Sequence, residues 1–121
     1  MGRSYKDLVA WQKAMDLVVE VYKVSDGFPR RETYSLADQI RRAAVSVPSN
    51  IAEGQAHFKP REFLHFLRHA AGSLAEIETQ MIIAFRLEYV SEAGVKQVLD
   101  QVHEVGRILS GLIASVSKQA A

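Results

Sequence analysis

The metal-binding pattern that stands out in this sequence is a pair of histidines four residues apart. His65 and His69 would lie one turn apart on a helix, where two imidazoles can share one metal ion. A zinc-protease helix carries glutamate directly after its first histidine, and this chain has Phe66 there, so that hydrolytic chemistry is absent. A third ligand is not evident, since His57 precedes a proline break and His103 lies on another predicted helix. We therefore expect surface or interface histidines, with no metal and no other cofactor.

Basic side chains in the same stretch could contact the phosphates of a nucleic acid. The basic row consists of Lys59, Arg61, His65 and Arg68. We expect Arg41 to approach this row from the preceding helix. Repeated around a ring of subunits, a few such cations could meet phosphates at several points, with strong salt dependence. Glu62 interrupts the row, and no stacking platform or RNA-module motif accompanies it. RNA or DNA binding is therefore the alternative hypothesis for this chain.

A second polar set recurs at helical spacing and would lie between two neighbouring helices. Its members are Arg42, Asn50, Glu53, Ser73 and Glu76. We expect Arg42 to pair with Glu76 or Glu53, and Asn50 to bind backbone freed near Pro48. Buried polar groups need partners, and such a network can fix the register of two helices. An acid/base or ligand site is the other interpretation, but it requires a cleft and perturbed carboxylates. We favour the structural role.

Other catalytic signatures are missing from the sequence. It has no cysteine, no glycine-rich phosphate loop and no nucleophile elbow. Serines such as Ser46 and Ser73 have no identifiable base nearby in the pattern. We therefore expect no enzymatic activity.

Helices must position all of these residues. Segment 39–54 has the sequence QIRRAAVSVPSNIAEG, in which Ile40, Ala44, Val47 and Ile51 recur at three- and four-residue steps. Pro48 lies inside this pattern, where proline costs about 3 kcal/mol or more in an ordinary helix. Contacts from outside the segment must therefore hold it helical.

Periodicity and breaks predict four helices and no strand. The helices span about residues 5–25, 33–56, 60–88 and 92–117, within one domain of residues 1–121. Asp26-Gly27-Phe28-Pro29 and Phe58-Lys59-Pro60 form the first two breaks, Pro60 suits a first helical position, and Ser91 is a plausible N-cap. Short connections favour antiparallel neighbours, so we predict an all-α, up-down-up-down four-helix bundle.

The first helix carries more apolar residues than one core stripe needs. We expect Leu8, Trp11, Met15, Val18 and Tyr22 to form its core-facing stripe, with Trp11 and Tyr22 as core anchors. The apolar residues beyond the predicted stripes of the helices include Leu17, Val19, Phe63, Ile82, Ile108 and Ile113. Such broad apolar sectors usually indicate a second buried surface, so we predict a homo-oligomer.

Composition limits the remaining classes of function. The chain has 121 residues, 48% of them hydrophobic, and a formal net charge of +1. A protein held chiefly by attraction to phosphates would be far more basic, so any nucleic-acid contact must be local. The N-terminus lacks the apolar core of a signal peptide, and no apolar run reaches the length of a membrane span. We expect a soluble, cytoplasmic protein without a membrane partner.

Four separated blocks of sequence are similar to one known family. They are segment 39–54, Asp7-Leu8 with Trp11-Gln12-Lys13-Ala14, Phe28-Pro29 with Glu32, Tyr34 and Leu36, and Ala71-Gly72-Ser73-Leu74-Ala75-Glu76-Ile77-Glu78. In this order they resemble the four-helix-bundle proteins called 23S rRNA intervening sequence proteins, or S23 ribosomal proteins. The resemblance implies a left-handed up-down bundle that assembles into a ring, commonly a pentamer, and it implies no established reaction.

The resemblance also defines the expected partners. A related group of bundle proteins assists the reverse transcriptases of diversity-generating retroelements, where a basic ring surface engages nucleic acid and the enzyme. This chain departs from that group in its near-neutral charge. We therefore predict a non-enzymatic, ring-forming scaffold whose partners are copies of itself. RNA, DNA and an unidentified protein are the further candidate partners.

Overall fold

The computed structural model describes residues 4–57 and 59–121, and within them the fold is all-α. Four α-helices are present in this part of the chain: α1 (Val9–Ser25), α2 (Leu36–Ala56), α3 (Pro60–Arg86) and α4 (Glu92–Ala120). Short 3-10 turns at Tyr5–Asp7 and Arg30–Glu32 precede α1 and α2. The all-α class with four helices and no strand, as predicted, is thus confirmed for these residues. None of the described helices combines the length and apolar character needed to cross a membrane.

The helix ends differ from the predicted ones by a few residues. The first helix begins at Val9 because Tyr5–Asp7 forms a tighter turn and Leu8 is extended. The second begins at Leu36, whose N–H donates to the Glu32 carboxylate at 3.3 Å. The fourth continues past residue 117 to Ala120. Residues 1–3, and Phe58 of the second predicted break, lie outside the described residues.

The third helix ends at Arg86, two residues before its predicted end. Glu88 has a left-handed backbone with φ of 65°, which an α-helix cannot continue. Its N–H donates to the Phe85 carbonyl at 2.9 Å, and the Tyr89 N–H donates to the Ala84 carbonyl at 2.9 Å. This pair of bonds is a Schellman motif, and here glutamate occupies the position that glycine usually takes.

One hydrophobic core draws on all four helices. Its largest fully buried side chains are Leu17, Ile40, Ile51, Leu67, Ile77, Met81, Leu109, Val21, Val47, Val98 and Val105. The predicted stripe of α2 is confirmed, since Ile40, Ala44, Val47 and Ile51 have no exposed surface. Burying Val47 and Ile51 contributes about 1.5–3 kcal/mol each. That gain offsets the cost of Pro48, so α2 stays continuous through the proline.

The core-facing side of α1 differs from the predicted stripe. Ala10, Ala14, Leu17 and Val21 are buried there, and Ser25 continues the same face. Met15 and Tyr22, which were predicted to face the core, are 40% and 44% exposed. Trp11 is half-buried, packs against the core as predicted, and contacts the ring of Tyr5. The prediction is wrong for Met15 and Tyr22, because Ala10 and Ala14 allow α1 to approach the core closely and these two bulky side chains lie outside that contact.

Each of the four helices contacts two others, and these contacts define how the helices are arranged around the core. α1 lies against α2 and α4, and α3 lies against α2 and α4. Among the described helices, α1 does not approach α3 and α2 does not approach α4. Side-chain pairs link the edges, with Gln97 donating to Glu20 at 3.2 Å between α4 and α1, and His103 close to Glu78 at 3.3 Å between α4 and α3. α1 and α3 are therefore diagonal.

α2 and α3 approach most closely at Gly54. A Cβ atom at this position would lie 2.8 Å from the Phe66 Cβ and 2.9 Å from the Phe63 Cδ1. Such distances are shorter than van der Waals contact, so a side chain at this position would push the two helices apart. The glycine that ends the 39–54 segment is thus required by helix packing.

Candidate functional site

A small hydrogen-bonded network joins α2 to α3. The Ser46 and Ser73 hydroxyl oxygens lie 2.8 Å apart, and Ser73 is only 6% exposed. Asn50 donates from Nδ2 to both the Ser46 hydroxyl and the Ser46 carbonyl, each at 2.8 Å. These polar groups have partners inside the protein, which is what burial requires. The network includes Asn50 and Ser73 of the predicted set, and its hydrogen bonds link α2 to α3.

The charged members of that predicted set lie elsewhere. Arg42 donates from Nε to the Asp38 carboxylate at 3.0 Å, one turn earlier on α2, and not to Glu76 or Glu53. Its side chain is 79% exposed and does not reach across to α3. Glu53 and Glu76 are both exposed as well. Asn50 also does not bind the carbonyl of Ala44. This carbonyl has no helical N–H donor, because Pro48 lacks a backbone N–H.

An open groove lies on the outer side of this network. It has a volume of about 530 Å³, and its lining consists of Ser46, His65, Arg68, His69, Gly72, Ser73 and Glu76. The rings of His65 and His69 lie edge to face with centroids 4.6 Å apart, as the four-residue spacing predicts. Two imidazoles give only two ligands, and no group of three or more His, Cys, Asp or Glu side chains fit for a metal lies within residues 4–57 and 59–121.

The basic row keeps its predicted place on the surface. Lys59, Arg61, His65 and Arg68 are all exposed, and the last three lie on one face of α3. Glu62, which interrupts the row in the sequence, has its Oε2 atom 3.1 Å from the His57 Nδ1. Its carboxylate is therefore turned towards the end of α2. Glu62 therefore separates the cations of the basic row in the sequence but not on the surface.

Arg41 does not join the basic row. It donates from Nε to the Ser25 hydroxyl at 2.7 Å and from Nη2 to the Asp26 carboxylate at 3.1 Å, and its guanidinium stacks over the ring of Tyr22 at 5.1 Å. These contacts are all with the end of α1. Thirteen residues of helix, about 20 Å, separate Arg41 from Gly54, the α2 residue that touches the start of α3. The expectation that Arg41 approaches the row is therefore wrong.

The outer side of α1 is an apolar surface. The α1 apolar ridge consists of Met15, Val19 and Tyr22. Met15, Val19 and Tyr22 are 40%, 53% and 44% exposed, although they are large apolar or amphipathic side chains. Three- and four-residue steps place them on one face of the helix. Sequence periodicity predicted a surplus of apolar residues on this helix and correctly placed Val19 outside the core, but it was wrong for Leu17, which is fully buried.

A second apolar surface is concave and lies between α3 and α4. The α3–α4 groove has a volume of about 600 Å³, and its lining consists of Ala71, Leu74, Ala75, Glu78, Val102, His103, Gly106, Arg107, Leu109, Ser110 and Ile113. Small residues make it concave, with Ala71 and Ala75 on one wall and Gly106 and Ser110 on the other. We did not predict this groove. Its sequence signal is the pair of small residues at four-residue spacing on each helix.

Comparison with known families identifies the fold. The family model described as 23S rRNA-intervening sequence protein matches residues 6–111 of this chain. The chain belongs to this family. The resemblance inferred from the sequence blocks is thereby confirmed. In this intervening sequence protein, segment 39–54 forms most of α2 and supplies both the core stripe and the close contact at Gly54.

A solved structure has the same four-helix fold. It is the crystal structure of a protein of unknown function from the S23 ribosomal protein family of Bacteroides thetaiotaomicron. The two chains are 20% identical and superpose with a TM-score of 0.80 over 87% of this intervening sequence protein and 98% of the other. At this identity the likeness shows the fold alone. No curated protein matches the sequence.

Proposed function

We propose that this protein is a non-enzymatic scaffold whose copies assemble into a closed homo-oligomeric ring, a pentamer. The α1 apolar ridge is the observation that supports the proposal. A helix that faces its own core with alanines and turns Met15, Val19 and Tyr22 to the outside has a surface suited to burial against another chain. A second copy of the chain is the one partner that is always present, and it is present at the same concentration as the first.

Each subunit of the ring would be an up-down-up-down bundle. Two contacts between α2 and α3 support opposite directions for these helices. Ser46 pairs with Ser73, whereas Gly54, further along α2, lies against Phe66, which is earlier on α3. As α2 advances, its partners on α3 therefore move back towards the N-terminus of α3.

The ridge alone cannot drive assembly. Met15, Val19 and Tyr22 are about half exposed, so burying the rest of each contributes roughly 1 kcal/mol. Association costs an estimated 4–15 kcal/mol in lost freedom of motion. A ring must therefore bury a second apolar surface on the neighbouring subunit as well as the ridge.

A charge placed on the ridge tests the proposal. We expect the native protein to sediment as a single species several times the mass of one chain. Val19→Glu should dissociate it without unfolding it, since Val19 is 53% exposed in the single chain. Val19→Ile is the matched control, because it keeps the apolar surface, and it should assemble like the native protein. Native mass spectrometry would count the subunits.

Two results would contradict this function. A native protein that remains a single chain at about 100 µM would exclude even a weak ring. An unchanged subunit count in Val19→Glu would place the contact elsewhere and remove the ridge as support. The circular dichroism of each variant establishes that it is folded.

A second candidate function, the binding of RNA or DNA, is favoured by the basic row. Lys59, Arg61 and Arg68 are exposed and have no ion-pair partner among the described residues, and Glu62 is turned towards His57. The chain has a net charge of only +1, so one subunit would bind weakly. A ring repeats the row and multiplies the contacts, which supports binding through avidity.

Salt-dependent binding would test this second candidate. We expect a structured RNA or a single strand to bind with an affinity that falls steeply with salt, and Arg61→Glu with Arg68→Glu to reduce both the affinity and the slope. The control is Arg30→Glu with Arg86→Glu, which makes the same change in net charge at exposed positions outside the row. If the two double variants behave alike, or no salt-sensitive binding occurs, this candidate is excluded.

A further inference from the structure

We propose that the groove beside the Ser46–Ser73 pair binds a phosphate group with two negative charges, as in inorganic phosphate or a phosphomonoester. We call it the polar groove, and its polar lining consists of Ser46, His65, Arg68, His69, Ser73 and Glu76. The inference goes beyond the proposed function, because it does not depend on whether the copies of the chain assemble.

The two hydroxyl groups on the floor of the polar groove have one proton left over. The Ser46 and Ser73 oxygens lie 2.8 Å apart, so one hydroxyl donates to the other. Asn50 donates to the Ser46 oxygen and therefore takes no hydroxyl proton. Whichever serine is the donor, the O–H of the other has no acceptor among the described residues. Ser73 is only 6% exposed, and polar groups at such a depth need partners.

The side chains above the two serines are donors as well. Arg68 is exposed and has no ion-pair partner within residues 4–57 and 59–121. The rings of His65 and His69 have centroids 4.6 Å apart, and each imidazole carries at least one N–H. One guanidinium, two imidazoles and one hydroxyl proton therefore line the same groove. A ligand that satisfies all of them must be an acceptor with several oxygen atoms.

A phosphate group fits this set of donors. Its ionised oxygens accept hydrogen bonds, and the bonds from arginine to phosphate are among the strong ones. A phosphomonoester has three such oxygens and a charge of about −2, whereas each phosphate of a nucleic-acid backbone has a single charge. Glu76 lies eight residues after Arg68, about 12 Å further along α3. Its carboxylate repels a longer anion and so favours a single phosphate group near Arg68.

The polar groove and the basic row are different sites, although both contain His65 and Arg68. His69 and Ser73 belong to the groove alone, and Arg61 belongs to the row alone. The row is a line of exposed charges, which suits the successive phosphates of a strand. The groove adds hydroxyl groups from a buried floor, which suits one terminal or free phosphate group. Arg61→Gln should therefore leave phosphate binding in the groove unchanged.

Titration of the native protein with inorganic phosphate is the direct test. Binding should shift the NMR signals of the His65 and His69 rings and leave those of His57 and His103 unchanged. We expect a dissociation constant on the order of 1 mM, as a few charge-assisted bonds in an open site provide. Acetate, with one charge and two oxygens, should bind at least about 10-fold more weakly. No saturable shift with phosphate, or equal binding of acetate, would overturn the inference.

Single substitutions with matched controls locate the site. Arg68→Gln and His69→Ala should each weaken phosphate binding about 10-fold, the loss expected for one charge-assisted bond. Arg86→Gln and His103→Ala are the controls, because they remove the same groups at exposed positions outside the polar groove. All four positions are exposed, and circular dichroism verifies that each variant is folded. Target and control variants that bind phosphate equally well would contradict the assignment.

Filling the polar groove tests its shape without changing any charge. Gly72 lines the groove, and a Cβ atom there would meet nothing within 4 Å, so a larger side chain enters the open space without a clash. Gly72→Leu should weaken phosphate binding at least about 10-fold. Gly111→Leu on α4 is the control, since its Cβ also meets nothing within 4 Å. Native affinity in Gly72→Leu would show that phosphate binds outside the groove.

The phosphate group has two possible sources, a small molecule or the end of a nucleic-acid strand. A nucleoside 5′-monophosphate and a single strand with or without a 5′-phosphate distinguish them. Tighter binding of the phosphorylated strand, lost in His69→Ala, would assign the strand end. Binding of the monophosphate with no difference between the strands would assign the small molecule. If the monophosphate does not bind and the two strands bind alike, the inference is overturned.

Discussion

At the scale of single residues, glycine has two different roles in these helices. Gly54 allows α2 and α3 to touch, because a Cβ atom would lie 2.8 Å from Phe66 and 2.9 Å from Phe63. Gly111 lies on an exposed part of α4 where a Cβ atom would meet nothing within 4 Å. Steric contact makes a glycine necessary at the first position, and the single chain has no such need at the second.

Alanine substitutions at these two positions should have effects of opposite sign. Gly54→Ala is expected to destabilise the fold by about 1–3 kcal/mol, since Phe63 and Phe66 must move to admit a methyl group. Gly111→Ala should stabilise it by up to about 1 kcal/mol through helix propensity alone. Urea unfolding followed by circular dichroism would measure both. Equal stability of the two variants would contradict the close approach at Gly54.

At the scale of helices, the ends depend on particular side chains. The Ser91 hydroxyl accepts the Gly94 N–H at 3.0 Å and caps the start of α4, as predicted from the sequence. Ser35 occupies the same position before α2, but its hydroxyl makes no capping bond. The Leu36 N–H is bound instead by the carboxylate of Glu32. Two serines in equivalent positions therefore contribute differently.

Removing the two hydroxyl groups should reveal this difference. Ser91→Ala is expected to lower the free energy of unfolding by about 1 kcal/mol, because one N–H at the start of α4 loses its partner. Ser35→Ala should change it by only a few tenths of a kcal/mol. Thermal unfolding of the two variants side by side provides the measurement. A larger loss in Ser35→Ala would show that α2 relies on its serine and not on Glu32.

The end of α3 suggests a stabilising substitution. Glu88 has φ of 65°, a backbone conformation that costs about 1–2 kcal/mol for a residue with a Cβ atom. Glu88→Gly should therefore raise the free energy of unfolding by about 1 kcal/mol, since glycine adopts this conformation freely. Leu87→Gly is the control, because Leu87 has φ of −84° and gains nothing from glycine. A loss of stability in Glu88→Gly would contradict the assigned helix end.

At the scale of the whole molecule, apolar residues form one core and two outer surfaces, and further apolar side chains such as Ile83, Phe85 and Leu87 are exposed near the end of α3. The α1 apolar ridge and the α3–α4 groove lie on different sides of the fold and have opposite shapes. The basic row lies at the start of α3, apart from the ridge. Assembly through the ridge would therefore leave the cations of every subunit free for a further partner.

Assembly should couple to unfolding of the whole molecule. Association stabilises the folded state by mass action, so the melting temperature is expected to rise by several degrees over about a hundred-fold increase in protein concentration. Val19→Glu should melt at a temperature that does not depend on concentration. Calorimetry or circular dichroism at each concentration gives the measurement. A native protein whose melting temperature is constant over this range would be folding as a single chain.

The sequence by itself determined the helices, their approximate ends and the family. Strong apolar periodicity, two breaks at proline and a capping serine are local signals, and local signals are what a helix depends on. The core stripe of α2 and the cap at Ser91 were predicted for the same reason. The basic row was also predictable, because charged residues at helical spacing share one exposed face.

Only the tertiary structure decided which face of α1 lies inside. Periodicity favoured the stripe with the largest residues, but close packing placed Ala10 and Ala14 against the core and left Met15 and Tyr22 outside. The partners of Arg41 and Arg42, and the groove between α3 and α4, likewise depend on how helices distant in sequence are placed. Spacing along one chain defines a face, whereas the choice of the face that is buried depends on the shapes of its neighbours.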